Sequence, residues 1–210
     1  MIDLLVATNN SGKLAEFRRL LGTLDARVVG PADIGLNLDV AEPYDTYAQN
    51  AAAKAQAFCR ASGLLTVADD SGIEVATLDW GPGVRSARLG GRDVTDNATL
   101  LLERVGDASD RRARMVCWLA VAVPGESDPG VELFSGTVDG EVTMQRRGGG
   151  GFGYDPIFLL PSGRTTAELA ETEKDAISHR GKAVAAALSR LRDLVAQLSQ
   201  LPRASGAVAG

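Results

Sequence analysis

Four clusters of polar residues in this sequence of 210 residues could carry chemistry, because each adjoins an apolar or helical stretch. They are the turn "TNNSGK" at residues 8–13, Glu42 in an acidic loop, the carboxylate pair of "DDSG" at residues 69–72, and "SHRGKA" at residues 178–183. Ligands of open α/β sheets collect at the ends of strands. We therefore expect the four clusters to converge on one ligand site.

The opening turn looks at first like a phosphate-binding P-loop, because an apolar run ends in a Gly-Lys pair that begins a helical pattern. A P-loop needs a glycine five places before the glycine of that pair and a serine or threonine after the lysine, but the chain has Ala7 and Leu14 there. Asn10 or Ser11 can still cap the helix, whose free N–H groups favour an anion, and Lys13 adds a cation. The alternative is an ordinary capped turn with a surface lysine.

The pair Asp69-Asp70 follows an apolar run typical of a central strand. Neighbouring side chains of a strand point to opposite faces, so both cannot chelate one ion if the strand continues through them. The alternative is a solvated turn. Mg²⁺ prefers oxygen ligands, usually one or two carboxylates plus substrate phosphates. Glu42, Asp70 and a polyphosphate could complete such a shell, with Lys13 and Lys54 neutralising the phosphates.

His179 is the only histidine of the chain. A single histidine at the start of a helix is more often a surface or capping residue, and Ser178 already makes a good cap. A second interpretation combines it with the aromatic loop "FGYD". Phe152 would stack on a planar base, and His179 and Arg180 would donate hydrogen bonds to a carbonyl oxygen of that base.

Composition and charge disfavour several kinds of partner. With 22 Lys+Arg and 27 Asp+Glu, the net charge is −5, which disfavours an extended nucleic acid but permits a small nucleotide in a local basic pocket. No apolar run approaches the roughly 20 residues of a membrane span. Asp3 interrupts the apolar start, so we expect no membrane association and a cytoplasmic protein. Cys59 and Cys117 lack neighbours for a disulfide framework or zinc site and are predicted to be buried free thiols.

The apolar periodicity predicts alternating strands and helices in one α/β domain at residues 1–200, followed by a disordered tail at 201–210. Residues 80–91 are predicted to be a Gly/Pro-rich loop, and residues 131–144 an antiparallel portion with Asp139-Gly140 as its hairpin turn. Strands are predicted at 4–6, 27–30, 64–68 and 116–123, and helices around 14–21, 46–62, 95–105 and 184–198.

Several motifs occur in the order found in one enzyme family: "ATNNSGK", "ADDSGIEV", "PGVRSAR", "GGFGYDPIF" and "EKDAISHRGKA". The chain thereby resembles the inosine/xanthosine triphosphate pyrophosphatase family from about Leu4 to about Leu198. The resemblance implies an elongated, mixed central β-sheet with flanking helices forming two lobes around a substrate cleft, and a homodimer. It also implies Mg²⁺-dependent hydrolysis of ITP, dITP and XTP between the α and β phosphates, which removes deaminated purines from the nucleotide pool.

The resemblance also assigns site residues. Asp70 would be the general base and, with Glu42, a metal ligand. The chain departs from the family at Gln49, where related sequences often carry a glutamate. The substrate contacts would be Thr8, Asn9, Asn10, Ser11, Gly12 and Lys13 in the phosphate turn, then Ser71, and on the base side Phe152, Gly153, Tyr154, Asp155, Lys174, His179 and Arg180.

Two other functions compete with this one. A related fold hydrolyses pyrimidine or modified nucleoside triphosphates, but its opening loop is typically rich in Ser and Arg, unlike "TNNSGK". A non-catalytic nucleotide-binding module would need the lysines and Phe152 but not Asp70. A panel of triphosphates with detection of pyrophosphate separates the three functions.

Overall fold

The computed structural model describes residues 1–91, 96–125 and 128–200. Its helices are α1 (Ser11–Leu20), α2 (Tyr47–Ser62), α3 (Asn97–Val105), α4 (Glu171–Ile177) and α5 (His179–Gln200). Its strands are β1 (Ile2–Val6), β2 (Ala26–Val29), β3 (Leu65–Val75), β4 (Gly81–Pro82), β5 (Arg112–Val123), β6 (Gly130–Val142) and β7 (Phe158–Leu159). The predicted α/β class is confirmed.

These strands form a mixed sheet with the order β2-β1-β3-β5-β6-β7, and β4 pairs with β3. β1 is parallel to both β2 and β3, and α1 and α2 supply the crossovers that parallel pairing needs. β5 is antiparallel to both β3 and β6. The mixed central sheet implied by the resemblance is therefore present.

Strand β3 is longer than predicted. The expected strand ended at Ala68, which would have left Asp69 and Asp70 beyond its end. Instead, pairing with β5 continues through both aspartates to Val75. The long ladder overrides the local turn preference of Asp-Asp-Ser-Gly, because it pairs the backbone of this segment with a neighbouring strand.

The predicted hairpin turn at Asp139-Gly140 is wrong. Both residues lie inside β6 and pair with β5. A Cβ on Gly140 would collide with the Leu159 carbonyl oxygen and the Phe158 ring. Glycine is thus needed here for the close approach of β7 rather than for a turn. The antiparallel pairing predicted for this portion is confirmed.

Helices cover both faces of the sheet. α1 and α5 pack on one face around Phe17, and α2 packs on the opposite face around Phe58. α3 covers the distal part of β3, β5 and β6 around Leu101. Cys59 and Cys117 are buried and free, as predicted. Because helices cover both faces, the polar side chains of β3 find their hydrogen-bond partners on the helices.

The segment at 80–91, predicted to be a loop, contains β4 and a 3-10 helix, Gly83–Arg88. Ser86 anchors this short helix, because its buried Oγ accepts a hydrogen bond from the Ile73 backbone N–H of β3 at 2.9 Å and donates to the Gly83 carbonyl at 2.6 Å. The segment therefore has a fixed position beside β3.

Two predictions extend beyond the described residues. The helix predicted from Thr95 begins at Asn97, with Asp96 as its cap, and Thr95 itself lies outside the described residues. The predicted tail at 201–210 also lies outside them. Among the helices of the described ranges, none is long and apolar enough to cross a membrane.

Candidate active site

The predicted phosphate turn is a capped helix start. The Asn10 side chain accepts a hydrogen bond from the Lys13 backbone N–H at 3.0 Å, and Thr8 Oγ1 accepts one from the Asn10 backbone N–H at 3.2 Å. A Cβ on Gly12 would lie 2.9 Å from the Phe152 ring. Glycine at this position therefore lets the turn rest against the aromatic ring of the distant "FGYD" loop.

Asp69 and Asp70 point to opposite faces of β3, as expected for a strand that continues through them. Asp69 Oδ2 accepts hydrogen bonds from Lys13 Nζ at 3.0 Å and from Arg180 Nη2 at 2.9 Å. Asp70 Oδ2 accepts one from Asn50 Nδ2 at 3.0 Å. Asp69 is thus held by two cations, whereas Asp70 has a neutral donor.

The two aspartates differ in acidity for this reason. Burial alone would raise the pKa of Asp69, but the charges of Lys13 and Arg180 outweigh it and hold that pKa well below its usual range. Burial raises the pKa of Asp70, and the negative charge of Glu42 contributes to the rise. Asp70 is therefore the stronger base of the pair.

Asp69 belongs to a cluster of buried charged residues, which we call the buried charge cluster. Its members are Glu16, Asp69, Asp155, Lys174 and Arg180. Arg180 is 2% exposed, and its Nη1 donates to Glu16 Oε2 at 2.7 Å. Lys174 Nζ donates to Asp155 Oδ2 at 2.7 Å and lies 4.0 Å from Glu16 Oε1. Opposite charges alternate through the cluster, which offsets part of the cost of burying them.

Asp155 holds the loop at residues 152–155, which contains the predicted contacts to the base, in its conformation. Its carboxylate accepts hydrogen bonds from the Phe152 backbone N–H at 2.7 Å and from Thr166 Oγ1 at 2.9 Å, in addition to the bond from Lys174. The Phe152 ring lies beside two cations, with Lys174 Nζ 4.9 Å and Arg180 Cζ 5.7 Å from its centroid. An aromatic face with adjacent donors suits a planar base.

A cleft of about 530 Å³ joins the phosphate turn to this loop. Most of the predicted substrate contacts line it: Asn10, Lys13, Ser71, Phe152, Gly153, Tyr154, Asp155, Lys174, His179 and Arg180. Thr8, Asn9, Ser11 and Gly12 belong to the adjoining turn. The structure thus brings together the opening turn, Ser71 and the two C-terminal motifs, whereas Glu42, Lys54 and Asp70 of the expected site do not line this cleft.

His179 lies at the wall of this cleft and is 8% exposed. Ser178 Oγ accepts a hydrogen bond from the Gly181 backbone N–H at 2.9 Å, so Ser178 caps α5 and leaves the histidine free of that role. Burial lowers the pKa of His179 well below its ordinary value, and the charges of Arg180 and Lys174 lower it further. A neutral imidazole presents one N–H donor and one acceptor.

Glu42 and Lys54 form an ion pair with each other and do not line the main cleft. Lys54 Nζ donates to Glu42 Oε1, and Arg88 Nη2 donates to Glu42 Oε2 at 3.1 Å. The pKa of Asp70 responds to the charges of both Glu42 and Lys54. The proposed metal ligands are therefore close enough to interact.

Sequence reasoning missed several residues of this site. Glu16 is the carboxylate partner of Arg180 and is 1% exposed, but the two residues are 164 positions apart, so no local pattern indicated the pair. Asn50 supports Asp70 from an alanine-rich helix. Arg146 donates to both carboxylate oxygens of Asp96 at 2.8 Å, and both residues line the cleft. No local pattern in the sequence indicated that pair.

Known proteins resemble this chain over most of its length. The model of the Ham1 family matches residues 4–190. A dITP/XTP pyrophosphatase of Ralstonia nicotianae is 46% identical over 199 residues, covering 91% of this chain and 98% of that protein. One of Staphylococcus epidermidis is 41% identical over 187 residues, covering 88% and 93%.

The fold agrees with this result. The solved structure of a HAM1 protein from Coxiella burnetii superimposes with a TM-score of 0.79 at 38% identity, covering 94% of this chain and all (100%) of that one. The residues that line the cleft all lie within the segment that the family model matches. The chain therefore belongs to the Ham1 family.

Proposed function

We propose that the protein hydrolyses the non-standard purine nucleoside triphosphates ITP, dITP and XTP to the nucleoside monophosphate and pyrophosphate. Such an activity would keep deaminated purines out of DNA and RNA. The observation that carries the proposal is one cleft with an aromatic ring and a neutral histidine at one side and the capped turn with Lys13 at the other. Relatives named dITP/XTP pyrophosphatase support it.

We assign the general base to Asp70. In this scheme Asp70 removes a proton from a water molecule, and the oxygen of that water forms a bond to the α-phosphorus. The bond from the α-phosphorus to the bridging oxygen breaks, and its electron pair stays on the departing pyrophosphate. The raised pKa of Asp70 suits a base, and Lys13 and Lys54 offset the phosphate charge.

Mg²⁺ fits the donor set of this site, with Glu42 and Asp70 as its ligands. Both are carboxylates, and the negative charge of Glu42 adds to the raised pKa of Asp70, a repulsion that a cation would relieve. In the described part of the chain no three acidic, histidine or cysteine side chains form a complete metal cage. Mg²⁺ typically takes one or two carboxylates and completes its shell with phosphates and water. The ion would neutralise developing negative charge on the phosphates.

Base selectivity follows from the donors on the base side. Hypoxanthine and xanthine present an oxygen at position six, which accepts a hydrogen bond from His179 or Arg180, whereas adenine presents an amino group that is itself a donor. Leaving one buried donor unpaired costs about 1–3 kcal/mol, which corresponds to roughly 5- to 150-fold discrimination. Guanine would be refused through its additional amino group at position two, near residues 152–155.

The decisive experiment is a triphosphate panel. We expect kcat/KM for ITP and XTP to exceed that for ATP and GTP by at least about tenfold. His179→Ala should reduce this difference in kcat/KM by slowing the hydrolysis of ITP and XTP. Lys182→Ala should leave the difference unchanged, because Lys182 is an exposed residue of the same helix. Equal rates on ITP and ATP in the parent protein would refute the assignment.

Lys13 should act on the phosphates rather than on the base. Lys13→Ala is expected to raise KM for ITP and XTP by the same factor, roughly tenfold, because a charge-assisted contact is lost in both complexes. Steady-state kinetics with both substrates measure it. If Lys13→Ala changed the ratio of kcat/KM for ITP to kcat/KM for XTP and left both KM values unaltered, the opening turn would not bind the phosphates.

The larger organisation is part of the proposal. Residues 1–200 are proposed to form one two-lobed domain, which is supported by the continuous hydrogen bonding of the sheet. The resemblance to the family supports a homodimer, which light scattering would measure. We place the protein in the cytoplasm, because nucleoside triphosphates are made and consumed there.

A further inference from the structure

A second recess lies beside Glu42, and its cations have no role in the scheme above. Its volume is about 260 Å³, and it is lined by the acidic loop 42–45 on one side and by Val84, Arg85 and Arg88 on the other. Arg85 is exposed and forms no hydrogen bond or ion pair within the described ranges of the chain. An arginine that lines a recess without a carboxylate partner is available to an anion.

The two arginines are presented on the same side of a rigid element. They lie three residues apart in the 3-10 helix Gly83–Arg88, in which side chains at i and i+3 eclipse each other. Ser86 on the other side of the turn is 2% exposed and fixes the helix to β3. Arg85 and Arg88 therefore share a face whose backbone is already ordered.

Charged residues connect the main cleft to this recess. Lys13 lines the cleft and donates to Asp69, the neighbour of Asp70 in β3. Asn50 donates to Asp70, and Lys54 follows one turn later on the same face of α2. Glu42 in turn bonds both Lys54 and Arg88. A triphosphate with its base in the main cleft and its α-phosphorus at Asp70 would extend its last two phosphates along this line.

We propose that the second recess binds the β- and γ-phosphates of the substrate and the pyrophosphate product, with Arg85 and Arg88 as donors. The proposal rests on the proposed function. A guanidinium matches phosphate oxygens in a bidentate geometry. Arg88 already donates to Glu42 at 3.1 Å, whereas Arg85 has no bonded partner among the residues that the structure describes. Arg85 therefore provides the cleaner test.

Product inhibition of the full-length, Mg²⁺-loaded enzyme tests the proposal. Inorganic pyrophosphate and IMP are used as separate inhibitors of ITP hydrolysis. Arg85→Ala should raise the inhibition constant of pyrophosphate roughly tenfold and leave that of IMP unchanged, and Arg85→Lys should restore part of the loss. Arg60→Ala is the matched control, because this exposed arginine of α2 pairs with Asp128 and lines neither recess.

A second readout does not depend on turnover. Calorimetric titration of inorganic pyrophosphate into the parent and Arg85→Ala proteins should show the same loss of affinity. An unchanged pyrophosphate constant in Arg85→Ala, or equal weakening of pyrophosphate and IMP, would overturn the proposal. Failure of the proposed function is distinguishable, because the parent protein would then release no pyrophosphate from ITP while the titration still reports on the recess.

Discussion

Asp70→Asn is expected to slow the hydrolysis of ITP at least about 100-fold. Asparagine keeps the shape of the side chain but can neither accept the proton of the attacking water nor supply a negative charge to a cation. The Asn50 side chain donates to Asp70 Oδ2 at 3.0 Å, and the Ser71 backbone N–H donates to Oδ1 at 2.9 Å. One of these donors loses its acceptor in the variant, which should cost about 1–3 kcal/mol of stability.

Rates of pyrophosphate release, measured beside urea unfolding, separate the two effects. Asp110→Asn is the control, since the side chain of Asp110 is 43% exposed and pairs with Arg112, two residues further along the chain. It should change neither the rate nor the fold. A folded Asp70→Asn protein with activity near that of the parent would exclude Asp70 as the base.

Arg180→Ala should lower the free energy of unfolding by about 3–5 kcal/mol, because it removes the guanidinium that pairs with the buried carboxylate of Glu16 and leaves buried Asp69 with Lys13 alone. Arg190→Ala in the same helix removes an arginine whose ion pair with Glu132 is 39% exposed on both sides. Such a surface pair should contribute no more than about 1 kcal/mol. The contrast is measured by urea unfolding of both variants.

Arg180→Lys is the second variant for this experiment, since the alanine protein could fail to fold. Lysine retains the charge but cannot donate to Glu16 and Asp69 in the fixed geometry of a guanidinium. An intermediate loss of stability is therefore expected. If Arg180→Ala were as stable as Arg190→Ala, the buried charge cluster would not be a stabilising unit.

The sequence predicted those features that short-range patterns determine. The strand, turn and helix at the N-terminus follow from an apolar run, the capping residue Asn10 and an apolar helical face. The opposite orientation of Asp69 and Asp70 follows from the alternation of a strand. The resemblance to the family predicted most of the residues that line the cleft, because these residues lie in the motifs on which the resemblance rests.

Features that depend on distant partners could not be predicted in this way. Asp139-Gly140 has the local chemistry of a turn, but the glycine is required by β7, which approaches it from a later part of the chain. The partner of Arg180 in α1 is 164 residues away, so no window of sequence contains both. The pair formed by Arg146 and Asp96 spans 50 residues in the same manner.

The buried charge cluster determines at which stage of chain synthesis the site can fold. The bonds of Arg180 in this cluster join positions separated by 111 and 164 residues, and contacts of such high sequence separation slow folding because a long loop must be closed first. Glu16 and Asp69 leave the ribosome long before Arg180. Until α5 has been synthesised, the nascent chain carries these negative charges without the guanidinium that pairs with them, so the charge cluster can form only after α5 has been made.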